Sequence, residues 1–106
     1  MSGSSSNGRG YGGFEVEREQ ECSEITFTTK VISPTMVYFG KASIGTVLDV
    51  EIDEGIIVLL ANKNVVGSIT HTIISKLLKC MKAGHRYEAD IFEINGASIT
   101  VTIRAK

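Results

Sequence analysis

The chain contains no tryptophan, one proline and two cysteines in 106 residues. Without Trp, any aromatic platform has to be built from its three Tyr and four Phe. Neither C-x-x-C nor H-x-x-x-H spacing occurs. His71 and Cys80 fall on one side of a helical segment, but two ligands are too few for structural zinc. No apolar run approaches the roughly 18 residues of a membrane span, and the N-terminus lacks the apolar core of a signal peptide. An intracellular protein is therefore expected, cytoplasmic or nuclear, or a domain of a larger chain. Two isolated cysteines in such a setting are expected to stay reduced, with Cys80 acting as a small core hydrophobe. A Cys22–Cys80 disulfide is the less favoured alternative.

Catalytic signatures are also missing. Gly40 to Gly45, GKASIG, lacks the spacing of a phosphate loop. Cys80 and His85 are five residues apart, but a Cys on the core side of a helix is a poor nucleophile. Asp49, Glu51, Asp53 and Glu54 form an acidic cluster that reads as a solvated face. The expectation is a protein that is not an enzyme, with no cofactor, no metal and no evident small-molecule substrate.

What the chain does contain is 42% hydrophobic residues, enough for one modest core. Residues 1–13, MSGSSSNGRGYGG, cannot repay the entropy of ordering and read as a disordered tail. Residues 14–23 read as an acidic arm, and residues 24–106 as the folded domain. Ile25–Ile32 alternates and is rich in β-branched residues. Ser33-Pro34 ends it. Met36–Phe39 reads as a short strand or loop. Thr46–Ile52 alternates, Asp53-Glu54-Gly55 is a turn, and Ile56–Ala61 is apolar throughout, as in a strand buried on both faces. Val65–Ile69 is another short strand. Arg86–Ile94 and Ser98–Ile103 flank Asn95-Gly96, the chemistry of a type I′ hairpin. Tyr87, Ala89, Ile91 and Glu93 would share one face.

Gly67–Gly84 breaks this pattern. Ile73, Ile74, Leu77, Leu78 and Met81 form one apolar stripe at helical period. Thr70 or Thr72 is the expected N-cap, and Gly84 suits a left-handed C-terminal position. The fold class expected is α+β, mainly β: a small, partly closed antiparallel β-barrel, OB-like or SH3-like, with one amphipathic helix at about 71–83.

Formal charge is −1, but it is unevenly spread. Residues 1–54 hold 4 Lys/Arg against 9 Asp/Glu, and residues 55–106 hold 7 against 3. Lys76, Lys79 and Lys82 line the polar side of the helix, with His85 and Arg86 following and Lys63 in an earlier turn. Such a face attracts phosphate backbones, although every amphipathic helix also needs a solvated side. Single-strand binding adds a demand for stacking surfaces. Tyr38 and Phe39 are adjacent, so in a strand at most one of them points into the core.

The run VGSI, then LLKCMKAG, then YEADI, from Val66 to Ile91, resembles the C-terminal half of the HIRAN domain. There a Gly-containing strand leads into a helix ending in Leu-hydrophobic-x-x-Gly and then a strand opening aromatic-x-Ala. Val37-Tyr38-Phe39-Gly40 is similar to that family's aromatic–aromatic–Gly strand end. The family's Asn-Pro-Tyr-Asp loop has no counterpart; the shorter Leu60–Asn64 stands in its place. The resemblance implies an OB-like barrel that binds DNA, notably single-stranded 3′ ends, with Tyr38 and Phe39 facing the DNA. The missing loop leaves the 3′-end pocket without its counterpart.

The reading is a nucleic-acid-binding module for single-stranded DNA or RNA. It would use Lys63, Lys76, Lys79, Lys82 and Arg86 for phosphates and Tyr38 and Phe39 for bases. The alternative is a protein-interaction or self-association module working through an exposed strand edge such as 24–32. No membrane partner is expected.

Overall fold

A computed structural model describes residues 21–106. The glycine-rich tail and most of the acidic arm lie outside these residues. A 3-10 turn at Cys22–Glu24 is followed by β1 (Thr26–Lys30), α1 (Met36–Phe39), β2 (Val47–Asp53), β3 (Ile56–Ala61) and β4 (Asn64–Ile69). Then come α2 (Ile74–Lys82), β5 (Tyr87–Asn95) and β6 (Ser98–Ala105). All six strands form one antiparallel sheet in the order β1-β6-β5-β2-β3-β4.

The sheet curls until its two outer strands meet. Beyond Lys30 the chain leaves β6 and runs onto β4. Ile32 and Ser68 exchange two backbone hydrogen bonds of 2.7 and 3.1 Å, and the Thr35 N–H donates to the Val66 carbonyl at 2.8 Å. The product is a small, partly closed antiparallel barrel with one amphipathic helix. Gly67 makes the closure possible. A Cβ there would lie 2.3 Å from Val31 Cγ1, and Val31 is itself buried. The same stretch of β4 carries a bulge opposite Leu59 and Leu60, which accommodates Val66 and leaves its carbonyl to accept from Thr35.

Alternation decides what enters the core. Leu48 and Val50 from β2, Ile57 and Leu59 from β3, Tyr87, Ala89 and Ile91 from β5, and Ile99, Val101 and Ile103 from β6 point inward and are buried. Leu77 and Cys80 of α2 join them. β3 is buried on both faces over residues 57–60, while Ile56 at its start is 54% exposed. On β5 a bulge after Ile91 sets Glu93 opposite Thr100 and Ile94 opposite Ile99. The expected inward face for Glu93 is thereby corrected: the bulge puts its carboxylate in solvent and Ile94 against the core.

Two helical expectations are revised. Met36–Phe39 is one turn of helix, not a strand. Ser33 takes a φ of 51°, Pro34 follows, and the Tyr38 and Phe39 amides both donate to the Thr35 carbonyl. The main helix begins at Ile74, three residues later than expected, and neither Thr70 nor Thr72 caps it. Instead the His71 Nδ1 accepts the Ile73 N–H at 3.3 Å, while the His71 ring lies 4.6 Å from Phe27 of β1.

The expectation of reduced cysteines is also overturned. Cys22 and Cys80 form a disulfide with Cα atoms 5.6 Å apart. Cys80 is buried, as expected of a core residue, but it is covalently tied to the 3-10 turn. The link closes a loop with a sequence separation of 58, which in the chain-entropy account corresponds to about 4 kcal/mol.

Two measurements bear on this architecture. Gly67→Ala should lower stability by about 1–3 kcal/mol in urea unfolding, and adding Val31→Ala should recover part of the loss, because the clash is between those two side chains. Cys22→Ser with Cys80→Ser should cost up to about 4 kcal/mol, and the doubly substituted protein should melt at the same temperature with or without a thiol reductant.

Candidate nucleic-acid interface

The barrel has two unlike ends. One end is formed by α2, the Cys22–Cys80 link and the Asp53–Gly55 turn. The other is formed by α1, the loop 40–46, and the turns at Asn62-Lys63 and Asn95-Gly96. This follows from the register, since β2 and β3 pair from Asp49 with Leu60 down to Asp53 with Ile56.

At the second end a groove of about 350 Å³ runs between α1 and the β3–β4 turn. Its walls include Thr35, Val37, Tyr38, Lys41, Asn62 and Asn64. Asn62 and Lys63 both have positive φ, 51° and 69°, giving a tight two-residue turn between Ala61 and its partner Asn64. One helical turn rotates successive side chains by roughly 100°. Val37 therefore stands 78% exposed, Tyr38 lies half-buried along the groove, and Phe39 is driven into the core at 1% exposure. The two rings meet edge to face, with centroids 5.1 Å apart. Phe39 has no free face for a base; its assignment as a stacking residue is corrected to that of a core plug buttressing Tyr38.

The charge around this groove is of one sign. No Asp or Glu occurs in residues 31–48 or 61–70, and no carboxylate lines the groove. The carboxylates instead occupy the sheet's outer face. Asp49, Glu51 and Asp53 stand on β2, and Glu88 and Asp90 on β5 share Arg104, which lies 2.8 Å from Glu88 and also pairs with Asp90.

The helix cations sit at the opposite end. Lys79, Lys82 and Arg86 are exposed, and Lys76 is partly buried. Met81, His85 and Arg86 line a second cleft, of about 410 Å³, together with Asp49, Glu51 and Lys106. That cleft carries both signs of charge. Lys63 and Tyr38 are thus separated from Lys76, Lys79, Lys82 and Arg86 by the length of β4, about 20 Å at strand rise. The expected set does not open onto one groove. Of that set the groove takes in Tyr38 alone, with Lys63 in the turn beside it; it adds Lys41, Asn62 and Asn64, which the sequence reading passed over. The signal for them was present: an acid-free stretch around Gly40-Lys41 and a polar turn, Asn62-Lys63-Asn64, facing it.

The edge of β1 is less open than the alternative reading requires. Ile32 is captured by β4, and the Thr29 Oγ1 donates to the Thr70 carbonyl at 3.1 Å. On the outer face Thr28 and Thr102 hydroxyls lie 3.2 Å apart. No group of three or more metal-ligating side chains occurs among the described residues, and no helix among them is long and apolar enough to cross a membrane.

No family model, curated protein or solved structure matches the chain.

Tyr87 anchors the α2 end. Its hydroxyl donates to the Cys22 carbonyl at 2.6 Å. Burial raises its pKa above the ordinary value of 10.0, and the Lys76 ammonium partly offsets the rise. Above about pH 10 the unfolded chain releases this proton before the folded one does, so the contribution is full below that pH and is lost as pH climbs through the folded value. Tyr87→Phe should cost about 1 kcal/mol at neutral pH. Its unfolding free energy should also fall less steeply than the parent's between pH 9 and 11, measured by urea titration at each pH.

Proposed function

We propose that this barrel binds single-stranded nucleic acid at the end carrying α1. A base would rest on Tyr38 inside the groove, with phosphates held by Lys41 and Lys63. The observation that carries this reading is the groove itself: an aromatic side, Lys41 and two side-chain amides converge there, with no carboxylate among the lining residues, and Lys63 stands in the turn between the two amides. A volume of about 350 Å³ lies at the lower end of the range for small-ligand pockets. The resemblance of Val37–Gly40 and Val66–Ile91 to the HIRAN domain supports the same aromatic. The absent Asn-Pro-Tyr-Asp loop removes the reason to assign a preference for 3′ ends. The cations of α2 lie outside this site, and a solvated helix face accounts for them.

The Cys22–Cys80 disulfide favours oxidising surroundings over the intracellular location expected from the sequence, because such links persist mainly there.

Fluorescence anisotropy with labelled oligo-dT tests the reading. Tyr38→Ala should weaken binding by about 1–3 kcal/mol, roughly 5- to 150-fold. Lys41→Ala and Lys63→Ala should each lower the salt slope by about 0.7. Lys79→Ala with Lys82→Ala should leave affinity unchanged. Loss of binding in that last variant would move the site to the helix, and absence of binding in the parent at low salt would remove the reading.

A further inference from the structure

The groove beside α1 has two kinds of wall. Tyr38 gives it an aromatic side, and Lys41, Asn62 and Asn64 give it polar groups. Val37 and Val65 also line it, one from α1 and one from β4. These two valines are 78% and 52% exposed. Val37 shares the short helix with Tyr38, and Val65 directly follows Asn64. Methyl groups therefore face water in the same concavity that holds the amides and the ammonium.

The polar groups alone would not choose a base. A side-chain carboxamide carries both an acceptor and two donors, so it finds a partner on the edge of any base. An aromatic face is equally undiscriminating, because every base has a π-face. The apolar wall differs. Thymine alone among the four DNA bases carries an alkyl group, the 5-methyl, and small apolar side chains are what contact it. Uracil lacks it. A base lying on Tyr38, between α1 and the β3–β4 turn, has the two valines as its apolar neighbours. A methyl group placed against them takes apolar surface of both partners out of water.

We propose that this groove prefers single-stranded DNA bearing thymine to the same strand bearing uracil, with Val37 and Val65 as the residues that tell them apart. This inference rests on the reading that the groove takes a nucleic-acid base, and it narrows that reading from single strands in general to DNA. A groove of about 350 Å³ suits a single base. The preference should therefore be that of one methyl group, about fourfold in affinity.

The test compares labelled oligo-dT with oligo-dU of equal length, titrated with the full chain and followed by fluorescence anisotropy. Sugar and phosphates are then constant, and the 5-methyl is the sole difference. The parent should bind oligo-dT about fourfold more tightly. Stacking on Tyr38 is a second route by which a methyl is felt, so a further arm removes the valines' methyl groups. In Val37→Ser with Val65→Ser the ratio should fall to nearly one, through weaker binding of oligo-dT, with oligo-dU bound as by the parent. Both side chains are exposed, so the variant should keep the parent's circular dichroism spectrum. Val37→Ser alone, at the more exposed of the two, should already lower the ratio. Equal affinity of the parent for the two oligonucleotides, or a ratio unchanged in the doubly substituted protein, would overturn the proposal and leave the groove standing as a nucleic-acid site. Absence of binding to either oligonucleotide at low salt would remove both.

Discussion

The closure of the sheet at Gly67 is the constraint on which the other features depend. A six-stranded antiparallel sheet left open would expose the backbone of β1 and β4. Here the chain that leaves β1 is laid directly over a residue without a side chain, and Ile32, Ser68, Val66 and Thr35 join backbone to backbone. That crossing fixes where the next segment goes. Having bonded Thr35 to β4, the chain has to turn at the rim, and Ser33-Pro34 followed by one helical turn is how it does so. Phe39 drops into the barrel mouth as a consequence, and Tyr38 is left beside the β3–β4 turn.

The two ends of the barrel then acquire different chemistry because different parts of the sequence reach them. The α1 end is built from segments without Asp or Glu. The other end collects the carboxylates of β2, the cations around α2 and the covalent tie from Cys22. The nearly neutral formal charge conceals this. Attraction of a polyanion depends on the local field, not on the sum, and the acidic outer face of β2 and β5 would repel a phosphate backbone from the middle of the sheet while leaving the rim accessible.

Much of the barrel was legible in the chain. Alternation in Thr46–Ile52, the apolar run at Ile56–Ala61, the Asn95-Gly96 turn and the helical stripe from Ile73 to Met81 each specify one element through side-chain period alone. What escaped was non-local. Met36–Phe39 is as apolar as a strand, and its helical turn is imposed by the bond from Thr35 to Val66, thirty-one residues away in sequence. The bulge that rescues Glu93 depends on Ile94 finding the core. The disulfide depends on the 3-10 turn and α2 being neighbours, which no spacing between Cys22 and Cys80 reveals. For the site, adjacency of Tyr38 and Phe39 identified the correct segment but the wrong geometry, because a strand and a helix distribute neighbouring side chains differently. The lysines of α2 were grouped with Lys63 on charge alone, and charge carries no information about which end of a barrel a residue occupies.

The restraints on the α2 end converge on its last turn. Cys80 ties that turn to the start of the fold, and its neighbour Met81 packs on the core. Tyr87 adds a second restraint, since its hydroxyl is committed to the Cys22 carbonyl. The His85 N–H closes the helix on the Cys80 carbonyl, and the Lys106 N–H donates to the Arg86 carbonyl. The segment that leads from α2 into β5 is therefore held by the helix it leaves and by the strand beside it. Moving Met81 away means moving Cys80, and the tie to Cys22 resists that. The same restraints keep the cations of α2 at this end of the barrel, away from the rim where Tyr38 lies.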